Sequence, residues 1–166
     1  MRFPSRKHIA LGSAGIVVVL GLLLWARPAP PTLQPISFNH KVHPLGCPFC
    51  HRSVQRLSSA GRPALATCAP CHQALKPRTE AMRKLKDHVD RNEEVPWIRI
   101  YRVPAHVYFS HRRHVAAGGL GCETCHGNVS KFTKPVSRPV VEPTMNNCIA
   151  CHTRKKVSTD CNACHR

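Results

Sequence analysis

All ten cysteines of the chain stand in CxxCH units, and no other feature restricts what it can fold into so tightly. The five units are Cys47/Cys50/His51, Cys68/Cys71/His72, Cys122/Cys125/His126, Cys148/Cys151/His152 and Cys161/Cys164/His165. In such a unit the two thiols add across the vinyl groups of a haem as thioethers, and the adjoining histidine is delivered to the iron as its proximal ligand. Five units that exhaust the cysteines predict five covalently bound haem c groups. Zinc ribbons also use paired CxxC units, but they need no histidine directly after every second cysteine. A disulfide scaffold leaves the histidines without a role. A thioredoxin-like dithiol calls for one motif, not five.

Haem also supplies what the polypeptide lacks. The chain has 166 residues, 15 prolines and few aromatics, and its apolar residues are concentrated in one block near the N-terminus, so the remainder could barely build an ordinary core. The fold class expected is mostly coil with short α-helices: a multihaem cytochrome c wrapped around a stack of five haems, nearly without strands, with one N-terminal transmembrane helix. The 25 Lys and Arg against 8 Asp and Glu give a formal charge of +17, which in most chains suggests nucleic acid or anionic lipid. Five haems bring about ten propionates, lowering that charge to about +7 and pairing with many basic side chains. No nucleic-acid partner is expected; a residual basic face could steer an acidic redox partner.

The segment from Ile9 to Ala26 is uncharged, follows Arg2, Arg6 and Lys7, and is followed by Arg27. Its length and flanking charges predict a single span with the N-terminus in the cytoplasm. A cleaved signal peptide is the alternative, but the stretch is long for one, its small-residue site is poor, and Pro28, Pro30 and Pro31 would hinder cleavage. The expected organisation is a cytoplasmic n-region at 1–8, a transmembrane anchor at 9–26, a stiff proline-rich linker at 27–35 and a pentahaem domain at 36–166. This places the protein in the inner (cytoplasmic) membrane with its haem domain on the periplasmic, extracytoplasmic side.

The haem domain carries an internal duplication. Phe38-Asn-His40-Lys-Val-His43 precedes Gly46-Cys47, and Phe109-Ser-His111-Arg-Arg-His114 precedes Gly121-Cys122. Each copy, 38–72 and 109–152, runs FxHxxH, a CxxCH, a spacer and a second CxxCH, and the fifth haem motif is appended at 161–165. Between the copies, the segment from Lys76 to Glu94 is rich in Glu, Arg, Lys and Leu and predicts an ordinary helix closed by Pro96.

Five six-coordinate irons need five distal ligands beyond His51, His72, His126, His152 and His165. Besides His8, on the cytoplasmic side of the predicted span, the candidates are His40, His43, His88, His106, His111 and His114. In FxHxxH the two imidazoles lie three residues apart, so one helical turn can offer them to neighbouring irons. His40, His43, His111 and His114 are the four distal ligands this predicts. His106 could equally cover haem surface, and His88, among Lys86, Asp87, Asp90 and Arg91, reads first as a solvated residue. Irons with both axial positions filled present no open site to a substrate and exchange electrons only.

The duplicated layout is similar to class III multihaem cytochromes c. More specifically, VPWIRIYRVPAHVYFSHRRHVAAGGLGCETCHG at 95–127, followed by Met145-Asn-Asn-Cys148-Ile-Ala-Cys151-His152, resembles the pentahaem cytochrome subunit of alternative complex III and related menaquinol oxidoreductases. The resemblance covers the chain from residue 36. It implies a non-catalytic subunit that receives electrons by way of polytopic quinol-binding and iron-sulfur subunits and passes them to a soluble cytochrome or a terminal oxidase. It also bears on the fifth distal ligand, because Met145 lies in a segment resembling the family's methionine-containing approach to its fourth haem, and a thioether would raise that haem's potential. Met145 is thus preferred to His106, with His88 third, against ordinary packing of a lone methionine. A stand-alone anchored cytochrome shuttling electrons to periplasmic reductases is the alternative. A multihaem reductase would want a five-coordinate iron, often with a CxxCK motif, and no such motif occurs.

Under denaturing conditions the mature protein should weigh more than its polypeptide by five haems. A haem-free mass accompanied by zinc would overturn the motif reading.

Overall fold

The computed structural model describes residues 19–22, 25 and 30–165, and the chain divides into two units, 1–31 and 32–166. In the first, residues 19–22 and 25 are helical. Among the described residues no helix is long and apolar enough to cross a membrane, and most of the span expected at 9–26 lies outside them, as do 1–8 and 27–29.

The second unit is coil punctuated by short helices. In chain order they are a 3-10 turn at His40–Val42, α1 (Cys47–Cys50), α2 (Leu65–His72), α3 (Glu80–Arg91), a π turn at Arg112–Ala117, α4 (Glu123–His126), a 3-10 turn at Val129–Lys131, α5 (Met145–Lys155) and α6 (Cys161–Cys164). Among the described residues the only pairing of β type is an isolated antiparallel bridge between Val107 and His165. Coil with short helices is what the motif-dense sequence predicts, since each CxxCH wants about one turn. Each motif indeed sits on or at the edge of its own helix.

Local chemistry sets the helix ends. The helix expected over 76–94 is confined to α3 because Thr79 caps its start, its hydroxyl accepting from Met82 N–H at 3.2 Å, and Asn92 turns into the left-handed region at φ 53°. Thr144 caps α5 in the same way through Asn147 N–H, and Lys156 closes it at φ 55°. A non-glycine residue at such a φ is uncommon, so both ends are tightly specified.

The protein core is small. Ile36, Leu65 and Val95 form one buried cluster, against which Ala81, Leu85, Val89 and Trp97 pack. Ala81, Leu85 and Val89 recur every four residues and so make one stripe of α3. That stripe holds α3 against the segment bearing the second motif. Glu94 completes the joint, its carboxylate accepting from Leu65 N–H at 2.8 Å at the start of α2. Val54 is the one other buried hydrophobic residue among those described. Each such side chain contributes about 1.5–3 kcal/mol on burial, so a core of this size organises one end of the unit rather than the whole.

The two FxHxxH segments are exchanged between the copies. Lys41 N–H donates to Phe132 O at 3.1 Å, and Arg112 N–H donates to Leu57 O at 3.1 Å. Lys41 and Arg112 directly follow the first histidine of their FxHxxH, and Leu57 and Phe132 each come seven residues after the second cysteine of the motif next along the chain. The bonds are therefore equivalent and reciprocal. Each copy lays its histidine turn on the segment that follows the other copy's first CxxCH, which is the arrangement of a local two-fold axis.

Candidate haem-attachment sites

FxHxxH works as one wedge. Phe38 sits edge-on to His40 at 4.7 Å and stacks on His43 at 4.6 Å, while Phe109 sits edge-on to His111 at 4.9 Å and stacks on His114 at 4.5 Å. The phenylalanine thus fixes the two imidazoles of its turn at different angles in both copies. Sequence reasoning assigned that residue no task, although its recurrence two positions before the first histidine was visible.

The distal candidates meet the motif histidines in pairs. His43 faces His72 at 6.0 Å between ring centres, His111 faces His126 at 6.3 Å with the rings only 7° from parallel, and His114 faces His152 at 6.0 Å. A metal–imidazole bond is about 2.0–2.1 Å and a ring centre lies about 1 Å behind its nitrogen, so one iron between two imidazoles sets the centres about 6 Å apart. The three gaps have that width. His106 faces His165 at the shorter distance of 5.4 Å, 24° from parallel. The His165 backbone is held there by the bridge to Val107 and by Tyr108 N–H donating to Cys164 O at 2.8 Å. His40 has His51 for its neighbour: burial first, and then the charge of His51, holds the His40 imidazole below its ordinary pKa. Burial does the same to His72 and His126, each reinforced by its partner, His43 and His111. Neutral imidazole is the form that ligates a metal.

Backbone carbonyls orient the rings. Nδ1–H of His43 donates to Asn39 O at 2.9 Å, that of His51 to Gly61 O at 2.9 Å, that of His111 to Ser58 O at 2.9 Å, that of His114 to Ser110 O at 2.8 Å and that of His152 to Ser158 O at 2.7 Å. A carbonyl only accepts, so each Nδ1 carries the proton and each Nε2 is left with its lone pair. A second hydrogen bond of this type is what fixes a metal-ligating histidine. These donors, gaps and tautomers fit haem, which Cys47, Cys50, Cys68, Cys71, Cys122, Cys125, Cys148, Cys151, Cys161 and Cys164 would hold through thioethers. All ten are exposed or partly so.

His88 shows why the carbonyl alone is not diagnostic. Its Nδ1–H donates to Glu93 O at 3.2 Å because α3 ends in a left-handed turn at Asn92, as α5 does at Lys156 behind His152. What His152 has in addition is the ring of His114 across the gap, and no ring contact of that kind involves His88 among the described residues. Met145 opens α5 one turn before Cys148 and is 62% exposed. The structure sets His106, rather than Met145 or His88, opposite a motif histidine.

Tyr101 is a second residue that sequence reasoning missed. Its ring edge meets His126 at 4.5 Å, and its hydroxyl donates to Cys125 O at 3.4 Å and accepts from Val140 N–H at 2.8 Å. It ties the third motif to the approach to the fourth. Gly127 belongs to the same joint: at φ 65° a Cβ there would also come within 3.0 Å of Val140 Cγ1.

Residues 107–166 match the family described as cytochrome c7 and related cytochrome c. Over 134 residues the chain is 37% identical to the menaquinone reductase, multiheme cytochrome c subunit, of Nitratidesulfovibrio vulgaris, a match covering 74% of this chain and 62% of that protein. The chain thus spans less than two thirds of that relative's length.

Phe109→Ala should leave haem content intact and broaden the low-spin electron paramagnetic resonance signals of the haems served by His111 and His114. Signals as sharp as those of the unaltered protein would show that the wedge does not set ring orientation.

Proposed function

We propose that this chain, a multihaem cytochrome c, binds five haem c groups, each between two histidines, and serves as the electron-transfer subunit of a membrane complex that exchanges electrons with a quinone or quinol. Bound haem would supply a one-electron iron centre. The pairs are His40 with His51, His43 with His72, His111 with His126, His114 with His152 and His106 with His165. The observation that carries the proposal is the recurrence of imidazoles facing each other across a gap one iron wide.

Filling both axial positions keeps substrates off the irons and suits the chain to electron transfer rather than to catalysis. Hydrogen bonds from Nδ1 to carbonyls raise ligand basicity, which favours the low potentials needed beside a menaquinone-type carrier. The relative is named as a subunit of a menaquinone reductase, and that name supports a membrane complex more than a free shuttle. The reading includes the uncleaved anchor over 9–26 and a haem domain held outside the cytoplasm, with polytopic quinol-binding and iron-sulfur subunits as neighbours. A soluble cytochrome or a terminal oxidase is the acceptor in the quinol-oxidising direction.

The fifth ligand differs from the one preferred on sequence. His106 meets His165 face to face, and a backbone bridge beside it fixes the approach. His106→Ala should convert one haem in five to the high-spin form in the optical and paramagnetic resonance spectra, while Met145→Ala should leave all five low-spin. The reverse result would restore the methionine.

Gentle detergent extraction should yield the chain together with polytopic membrane subunits. Recovery as a lone monomer would favour the shuttle.

A further inference from the structure

The order of the five motifs along the chain differs from their order in space. We infer that the attachment sites form one unbranched row running second, first, third, fourth, fifth, with its middle junction on the local two-fold axis between the copies. The inference rests on the five-haem reading above and adds to it the path electrons follow.

Within each copy the junction is the FxHxxH turn. Phe38 touches the rings of both His40 and His43, so the first and second sites share one wedge, and Phe109 joins the third and fourth in the same way. Between the copies the junction is the reciprocal pair of backbone bonds from Lys41 to Phe132 and from Arg112 to Leu57. His111 tightens it, because both its backbone N–H and its Nδ1–H donate to Ser58 O, just beyond the first motif. The first and third sites therefore lie back to back. The fifth site is docked by the Val107–His165 bridge and the Tyr108–Cys164 bond onto the strand-like approach to the second FxHxxH, on the fourth site's side of the axis.

The second site meets the row through His43 of the Phe38 wedge, and α2, which carries its motif, packs on α3 in the protein core of Ile36, Leu65 and Val95. The second site, though second in sequence, is therefore one terminus of the row, and the appended fifth site of His165 is the other.

The test uses the detergent-solubilised full chain with all haems attached. A distal histidine is replaced by methionine, which raises the potential of that one haem, and the midpoints of the others are followed by redox-monitored nuclear magnetic resonance. A raised midpoint for the substituted haem checks the ligand reading on its own. His43→Met should then shift the first haem's midpoint and leave the third unmoved, whereas His111→Met should shift the first and the fourth together. If His43→Met moves the third haem as much as the first, or His111→Met moves the second more than the first, the row is wrong while the ligands stand. His106→Met, at the opposite terminus, should disturb the fourth alone, and a response from the first or second would also overturn the order.

Discussion

Two imidazoles facing each other across the width of one metal ion are the constraint on which this structure depends. With haem attached as proposed, the CxxCH motif would supply one of them, because the histidine next to the second cysteine is carried to the iron once both thiols are fixed. The opposing imidazole must come from elsewhere in the chain, and the rest of the folding is arranged to deliver it. One FxHxxH turn provides two such imidazoles, so each turn ties together two motifs separated by a long spacer. Few side chains are then needed to define the path.

Hydrogen bonds from backbone carbonyls carry much of the remaining specification. Asn39, Ser58, Gly61, Ser110 and Ser158 each accept from a histidine Nδ1 through the main-chain carbonyl, so the orienting bond itself uses no side chain. Such a bond raises the basicity of the ring's other nitrogen, the one left to bind a metal. Side-chain contacts matter most where two sites join: Phe38 and Phe109 within a copy, Tyr101 between the third motif and the approach to the fourth. The small apolar cluster of Ile36, Leu65 and Val95 has a comparable local task, holding α3 against the second motif.

Exchange of the FxHxxH turns between copies joins the two copies to each other. A duplicated segment that kept its contacts to itself would give two separate pairs of sites. Because Lys41 binds beyond the third motif and Arg112 beyond the first, the two copies close on each other through equivalent bonds. Equivalent bonds of this kind satisfy both partners with one geometry, as in symmetric dimers. Here the symmetry is internal, and the fifth motif is an addition on one side of it.

The amino-acid sequence by itself located the five CxxCH motifs, the duplication and the four FxHxxH histidines as ligand candidates, because motifs and repeats are local patterns that need no knowledge of packing. It located the helix between the copies but not its ends, since Thr79 and Asn92 decide those through cap geometry. Only the tertiary structure decided which imidazole faces which motif, brought His106 rather than Met145 against His165, and gave tasks to Phe38, Phe109 and Tyr101. Each of those outcomes depends on residues distant in sequence meeting at a distance of a few ångströms. Spacing along a chain constrains such meetings only loosely, because a coil of 16 or 21 residues between motifs can close in many ways and the return path is selected by contacts at its ends.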